Sequence, residues 1–357
     1  MSQANPKVSI IMPVYNVDRF VGRAIKSLQN QSCREIEIIV VDDGSTDRSG
    51  DIAERLAERD IRIEVIHTEN AGAPAARNLA LERARGRYIQ FMDADDWVEP
   101  TMVADMVEAM ERDDLELVIT GFYIETYYSD DGAEHYSEVK SRPSRTYPTQ
   151  EEFRAGAYEL FDENLLYTPW NKLYLRERIE KLGLRFRDTF MDDFPFVLDY
   201  IRDVERVGVI EKPYYHFIRQ RAESETSKWR PNLYEKREEE HEWMLELYRH
   251  WGLEGDEASQ EMIQRRYIER LVGCIESVCS RECTLSRHEK RELVLKMISS
   301  DNAREAVRLA KPRSRMMAAV LAPIRAGNVS ATMAEGKIIS FVKHHSTRIF
   351  SRLRANR

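Results

Sequence analysis

The chain lacks several features whose absence narrows its function. Four cysteines in 357 residues, Cys33, Cys274, Cys279 and Cys283, are too few and too unevenly spaced for a disulfide framework. A reducing cytoplasmic setting is therefore expected. No stretch approaches the roughly 20 apolar residues that a bilayer-spanning helix needs. Residues 1–7 are polar, and the apolar run from Val8 is broken by Pro13 and Asn16, so no signal peptide is expected. The 15 glycines never fall as G-x-G-x-x-G or G-x-x-x-x-G-K-[ST]. That excludes a dinucleotide fingerprint and a Walker phosphate loop. Internal repeats and low-complexity tracts are missing too.

Net positive charge is confined to one end. Residues 311–357 hold ten Lys/Arg against the single acid Glu335, a charge of +9, so the overall −8 leaves −17 on residues 1–310. An acidic body is a poor surface for nucleic acid, and no such partner is expected. With 42% hydrophobic and 32% charged residues the composition is that of a globular protein.

Residues 8–121 alternate apolar strands and amphipathic helices. Strands are expected at 8–12, 36–41, 61–66, 88–92 and 115–121. The first helix carries Phe20, Val21, Ala24, Ile25 and Leu28, with Asp18 as its cap. Such alternation implies a parallel sheet between helices, with ligands at the carboxyl ends of its strands. Asn16, Asp42 and Asp43, Asn70 and Gly72, and Asp93 and Asp95 all fall at those ends. Residues 125–150 read as a polar excursion, residues 150–218 as mixed helix and strand, and everything beyond Pro231 as helical, near 234–252, 258–283 and 286–309.

The run from Arg87 to Trp97 is the richest in chemistry, for it ends a buried strand in Asp93, Asp95 and Asp96. If the extended backbone continues, Asp93 and Asp95 share a side. Carboxylates so close repel unless a cation intervenes, and Mg²⁺ or Mn²⁺ is the usual answer, with phosphate oxygens completing its shell. The same letters also suit a solvated loop with an acidic cap for the helix after Pro100. In the turn from Asp42 to Asp47 a carboxylate can accept from a base N–H; the plainer alternative is a turn with Asp47 as a helix cap. Between Asn70 and Asn78, small residues open a helix with Arg77 one turn in. That suits a phosphate, or an arginine paired with nearby carboxylates.

In order and spacing, Pro13, Val14, Tyr15 and Asn16, the turn from Val41 to Asp47, Gly72 with Arg77 and Asn78, and Asp93, Ala94, Asp95 and Asp96 resemble the family 2 glycosyltransferases of GT-A fold. The resemblance, to inverting, non-processive enzymes of bacterial cell-surface polysaccharide, is strong over 7–121, looser through 227 and absent from 231 onward. It implies a Rossmann-like, mostly parallel sheet flanked by helices, here with a helical C-terminal appendage. It also implies a nucleotide-sugar donor, most often a UDP-sugar, and a divalent metal on the D-x-D pair. Residue by residue, Asp43 would face the nucleobase, Asp95 the metal, and Asp93 the ribose or metal-bound diphosphate. Pro13, Tyr15, Asn16, Asp42, Gly72, Arg77 and Lys172 would complete the donor site.

The family's general base stands in an acidic pair, usually Glu-Asp, ahead of a helix. Asp192 and Asp193 occupy that place, Asp192 one methylene shorter than the commoner residue. The resemblance makes Asp193 the base and Asp192 a neighbour that raises its pKa or orients it. The alternative is that both cap a helix. Residues 168–174 resemble the stretch beside the acceptor, where Lys172 would neutralise diphosphate and Trp170 stack on a sugar; equally, they suit an indole in the core and a lysine on its rim. Tyr214, Tyr215, His216 and Arg219, on to Ser224 and Ser227, resemble the closing segment, and His216 joins the expected metal and diphosphate contacts. The processive Q-x-x-R-W signature is missing, which implies one sugar added per encounter.

The expected organisation is a glycosyltransferase domain over 1–230, with a nucleotide-sugar half at 7–121 and an acceptor half at 150–227. A helical appendage at 231–310 and a basic amphipathic tail at 311–357 follow. In the tail, Ile338, Ile339, Phe341, Val342, Ile349, Phe350 and Leu353 alternate with cations. Such a helix suits an anionic membrane at the inner face of the cell membrane, or docking on the acidic body. A glycan or polyprenyl-linked acceptor fits the first option. Cys274, Cys279, Cys283 and His288 match no zinc spacing and read as structural. The competing functions are a sugar nucleotidyltransferase, which would want a glycine-rich basic loop after the first strand, and a non-catalytic glycan- or membrane-binding protein.

Overall fold

The structure, a computed structural model, describes residues 6–127, 135–189, 191–219 and 229–345, apart from the side chains of residues 315, 316, 344 and 345. It divides into two compact units, residues 1–220 and 221–357. The boundary thus falls before the expected residue 230.

In chain order the first unit contains β1 (Val8–Val14), α1 (Val21–Gln29), β2 (Ile36–Asp43), α2 (Ser49–Ala57), β3 (Ile63–Thr68), α3 (Ala73–Arg83), β4 (Tyr88–Phe91), β5 (Trp97–Val98) and α4 (Met102–Arg112). It continues with β6 (Leu117–Tyr127), β7 (His135–Lys140), β8 (Arg145–Tyr147), α5 (Gln150–Asp162), β9 (Lys172–Leu175), α6 (Arg176–Lys181), α7 (Asp193–Ile201) and β10 (Val207–Arg219). The main sheet runs β3-β2-β1-β4-β9-β6-β10-β5, with β7 beside β6 and β8 beside β10. β1 lies parallel to β2 and β4, and β2 parallel to β3. Residues 8, 10–12 and 38–41 are wholly buried, which explains their unbroken apolar run: a strand covered on both faces has no polar side to show.

The structure departs from the sequence reading in places that matter. The strand expected at 115–121 does not complete the parallel series beside β4. β9 enters between them, antiparallel to both, so the sheet is mixed. Pro13 does not end β1; it stays in register opposite Val41, and β2 runs on through Asp42 and Asp43. The excursion at 125–150 is largely strand: β6 continues to Tyr127 and β7 returns antiparallel along it. Tyr128, Asp130, Asp131 and Gly132 lie outside the described residues. Asp18 does not cap α1, which begins after Phe20 without a side-chain cap. Pro213 sits inside β10 where the register shifts on either side, a place that tolerates its missing N–H.

The second unit comprises α8 (Leu233–His250), α9 (Glu257–Cys279), α10 (Arg287–Ser299), α11 (Asp301–Leu309), α12 (Arg315–Arg325) and α13 (Val329–His345). The segment read as one helix over 286–309 breaks at Ser300, whose hydroxyl accepts the Ala303 N–H and caps α11. The first part of the expected tail joins this unit's core. Leu321, Ile324 and Val329 pack in one cluster with Ile268, Leu271 and Val294. α13 approaches α9 at Gly336, where a Cβ would lie 3.0 Å from Cys279 Sγ and from Ile275 Cγ2. Cys274 belongs to the same cluster and Cys279 packs against it. Ile338 and Phe341 of α13 remain exposed. Arg348, Ile349, Phe350, Arg352, Leu353 and Arg354 lie outside the described residues. No described helix is long and apolar enough to cross a membrane.

Candidate active site

Successive strand residues face opposite sides, and the end of β2 uses this to send two aspartates in different directions. Asp42 Oδ2 lies 2.8 Å from His67 Nδ1, whose Nε2 meets Glu54 at 3.0 Å. These carboxylates, Asp42 first, raise the His67 pKa. Asp43 turns the other way and accepts the N–H groups of Ala71 and Gly72, both at 2.8 Å. It thereby pins the start of α3. Gly72 has φ 89° and ψ 158°, a conformation open essentially to glycine alone. Asn16, itself in the left-handed region at φ 49°, accepts from the N–H groups of Thr46 and Asp47 and donates its own N–H to Ser45 Oγ. Pro13 and Asn16 thus fix the β1 rim to the acidic turn, while Tyr15 is half exposed beside them. Asp47 accepts the Ser49 N–H at 2.9 Å, close to the capping role read for it.

Arg77 is the hub of the site. Its guanidinium is buried, 6% exposed, and reaches Asp93 Oδ1 at 2.9 Å, Asp192 Oδ2 at 2.7 Å and Asp193 Oδ1 at 3.2 Å. Burial opposes its charge, but the three carboxylates outweigh burial and raise its pKa. Of the two sequence alternatives for Arg77, the structure shows pairing with carboxylates. Asn78 makes this possible. Its amide accepts the Phe186 N–H at 2.9 Å and donates to the Phe186 carbonyl at 2.8 Å. That clasp seats the Phe186 ring 5.1 Å from the guanidinium carbon and brings the approach to α7 against α3. Asp192 and Asp193 begin α7, but Asp192 makes no side-chain cap bond. The capping alternative therefore fails for Asp192: the arginine takes its carboxylate. Met191, just before, holds a positive φ of 61°, a strained conformation for a methionine.

The two carboxyls at α7 are held above their ordinary range. Asp193 rises to about 7, chiefly through burial, with Arg77 opposing and Asp192 and Asp93 adding repulsion. Its Oδ1 is buried without a hydrogen-bond partner, since the Arg77 contact lies outside hydrogen-bond geometry. Burial likewise raises Asp192.

The 93–96 turn is not extended. The Asp96 N–H closes back toward the Asp93 carbonyl at 3.3 Å, so Asp93 and Asp95 do not share a face by strand alternation. Asp96 is fully buried as a support: it accepts from the Tyr215 hydroxyl at 2.6 Å and the Ile218 N–H at 2.7 Å. Tyr215 also accepts the Asp93 N–H at 3.1 Å, and Arg23 donates to the Asp95 carbonyl at 2.9 Å. The Asp95 carboxylate meets no side-chain donor among the described residues. Burial and then Asp93 push it up to about 6. No group of three His, Cys, Asp or Glu side chains suited to a metal occurs among the described residues.

Three predicted contact residues have other partners in the fold. Lys172 is fully buried, and its ammonium donates to the Thr168 carbonyl and to Asn171 Oδ1, so it sits in the core and not on a rim. Burial drives its pKa well below the usual lysine range. Trp170, 3% exposed and stacked on Tyr215 at 4.1 Å, is likewise core. His216, read as a metal contact, is held between two carboxylates: its Nδ1 lies 2.9 Å from Glu125 and its Nε2 3.2 Å from Glu99. Ser224 and Ser227 lie outside the described residues. Phe186 and Arg23 escaped the sequence reading, and Tyr215 was read only as part of the closing segment, because each acts through partners more than 70 residues away.

A nucleotide-sugar type of sheet, with acidic turns at its carboxyl rim and a helix-borne acidic pair brought to the same arginine, is the GT-A fold of a glycosyltransferase. The sequence model of Glycosyl transferase family 2 matches residues 9–183. The chain is 34% identical over 308 residues to the uncharacterized glycosyltransferase EpsJ of Bacillus subtilis, covering 85% of this chain and 86% of that protein. It belongs to glycosyltransferase family 2. A second relative, the putative glycosyltransferase EpsH of Bacillus subtilis, is 36% identical over 221 residues, 59% of this chain and 60% of the relative. Among solved structures, residues 1–349 of S. aureus TarS in complex with UDP-GlcNAc superpose with a TM-score of 0.63 over 96% of this chain and 93% of that one. At 17% identity the likeness is one of fold.

Proposed function

We propose that this glycosyltransferase moves a sugar, with inversion, from a nucleotide-sugar, most simply a UDP-sugar, to a hydroxyl of a cell-surface glycan on a lipid carrier. The observation that carries this reading is Asp193: a carboxyl at about 7, its side chain 26% exposed, brought by Arg77 into one network with the Asp93–Asp95 turn. A general base works best when its pKa lies near the operating pH. Asp193 takes the acceptor hydroxyl proton, and Asp192 and Arg77 hold it in place. Asp43, Asn16 and Gly72 shape the nucleoside end of the donor site.

Asp95 and Asp93 fit a hard divalent ion. The Asp95 carboxylate is partly buried, unmatched by any donor side chain and repelled by Asp93, and one or two carboxylates with phosphate oxygens suffice for Mg²⁺ or Mn²⁺. When bound, the ion supplies positive charge to the departing diphosphate. The exposed Ile338 and Phe341, beside Lys337 on α13, support contact with an anionic membrane surface.

The test offers the purified protein, with Mn²⁺, a panel of nucleotide-sugars and measures nucleoside diphosphate release. Release that disappears in Asp95→Ala supports the transferase. Pyrophosphate release, or no donor binding by calorimetry, refutes it. For the membrane contact, Ile338→Ser with Phe341→Ser should lower binding to anionic vesicles; unchanged binding refutes that part alone.

A further inference from the structure

Beside the Asp93–Asp96 turn lies an open groove of about 520 Å³, lined by Arg23, Lys26, Ser27, Asn30 and Trp97. The role given to the turn does not use this groove. Its floor is unusually well fixed. The Trp97 indole stacks on the His216 ring with centroids 3.4 Å apart and planes at 11°. Tyr123 covers the other face of His216 at 4.4 Å, and Glu125 and Glu99 hold its two nitrogens in plane. An aromatic ring held flat in this way presents an apolar platform at little entropic cost.

The rim is cationic. Arg23 spends one N–H on the Asp95 carbonyl, and neither Arg23 nor Lys26 forms an ion pair among the described residues. Both are exposed, as is Asn30, and no carboxylate lines the groove. The Asp95 carboxylate also feels the Arg23 charge, which leaves Lys26 the less committed of the two cations beside the indole. An apolar lining with a few convergent polar groups is the usual make-up of a small-molecule site. Here it matches a sugar ring lying on the indole with its anionic substituent toward Arg23 and Lys26.

We propose that this groove is a subsite for an anionic sugar residue, a uronate or a sugar phosphate, of the acceptor glycan. The inference deepens the acceptor half of the proposed function and rests on it for its purpose, but its binding can be measured apart. Because Arg23 also holds the Asp95 carbonyl, an occupant draws on the side chain that steadies the turn.

The experiment titrates the full-length, metal-free and donor-free protein with glucuronic acid, glucose 1-phosphate, glucose and inorganic phosphate, read by saturation-transfer NMR and calorimetry. At least one charged sugar should bind, with glucose and inorganic phosphate each about tenfold weaker, a difference of about 1.4 kcal/mol. Binding of glucuronic acid alone assigns the carboxylate source, and binding of glucose 1-phosphate alone the phosphate source. Lys26→Glu should weaken the charged sugar by about tenfold or more. Lys26→Gln, which adds no carboxylate beside Arg23, should weaken it too and leave Mn²⁺-dependent donor hydrolysis unchanged, because Lys26 touches none of the groups placed at the donor. The proposal falls if neither charged sugar binds, if inorganic phosphate binds as well as glucose 1-phosphate, or if Lys26→Glu binds like the wild type. Charged-sugar binding in a protein that hydrolyses no donor would sink the proposed function and leave the subsite standing.

Discussion

Asp42 and Asp43 carry the same two letters as Asp192 and Asp193, in opposite circumstances. The first pair closes a buried strand and is saturated by the scaffold: His67 and the Ser45 N–H meet Asp42, and two backbone N–H groups meet Asp43. The second pair opens a helix, and the one side-chain donor it meets among the described residues is an arginine shared with a third carboxylate. Its Asp193 is left with an orphaned oxygen and a pKa near 7. Carboxylates that accept several N–H bonds are anchors, whereas a carboxylate short of donors is ready to take a proton.

Substitutions should break this contrast in a graded way. Asp193→Asn keeps the shape and removes the proposed base, so turnover should fall by about 10³-fold with folding intact. Near-normal transfer would move the base elsewhere. Arg77→Leu leaves three acids without their cation, and breaking a buried pair costs about 3–5 kcal/mol. The loss, read by urea unfolding at neutral pH, should shrink in acid as the carboxyls protonate; a loss that does not change with pH would make packing, not charge, the cause. Asp43→Asn removes one acceptor from the anchor. Stability should fall by about 1–2 kcal/mol and donor affinity about tenfold, with turnover at saturation little changed. A large fall in turnover would erase the distinction between anchor and base.

Two pH effects are smaller. If Asp193 is the base it must be deprotonated to act, so kcat/KM should climb through pH 7 and level off above it, with the limb lost in Asp193→Asn. Stability runs the other way. Asp193 at about 7 and Asp95 at about 6 bind protons more tightly folded than unfolded, where the value is 3.8. Their contribution is full below about pH 4 and is lost as pH rises toward 7. Melting curves of the wild type should show a steeper decline over that window than Asp193→Asn.

The strand and helix alternation over residues 8–112 was legible because periodicity is a local property. So were the polar clusters at the strand ends. The insertion of β9 between β4 and β6 was not, since a four-residue strand carries no sign of its neighbours. The 93–96 turn defeated the expectation of a shared face because its hydrogen bond to the Asp93 carbonyl, and the Asp96 contacts with Tyr215 and Ile218, override alternation. His216 read as a cation ligand from its motif, yet Glu99 and Glu125 reach it from separate elements. Lys172 looked like a rim cation, and only its carbonyl partner within the same turn reveals it as core.

The Arg77–Asp192 contact spans 115 residues of sequence. At about 10 residues per second, a growing chain makes Arg77 roughly ten seconds before the acids that complete its neutralisation. During that interval Asp93, 16 residues on, is the nearest of its three partners to be made. The nascent N-terminal part thus carries an incompletely matched cation, and the Asp192–Asp193 pair arrives to quench it. Completion of this charge network is then a late event of synthesis, coupled to closure of the whole first unit.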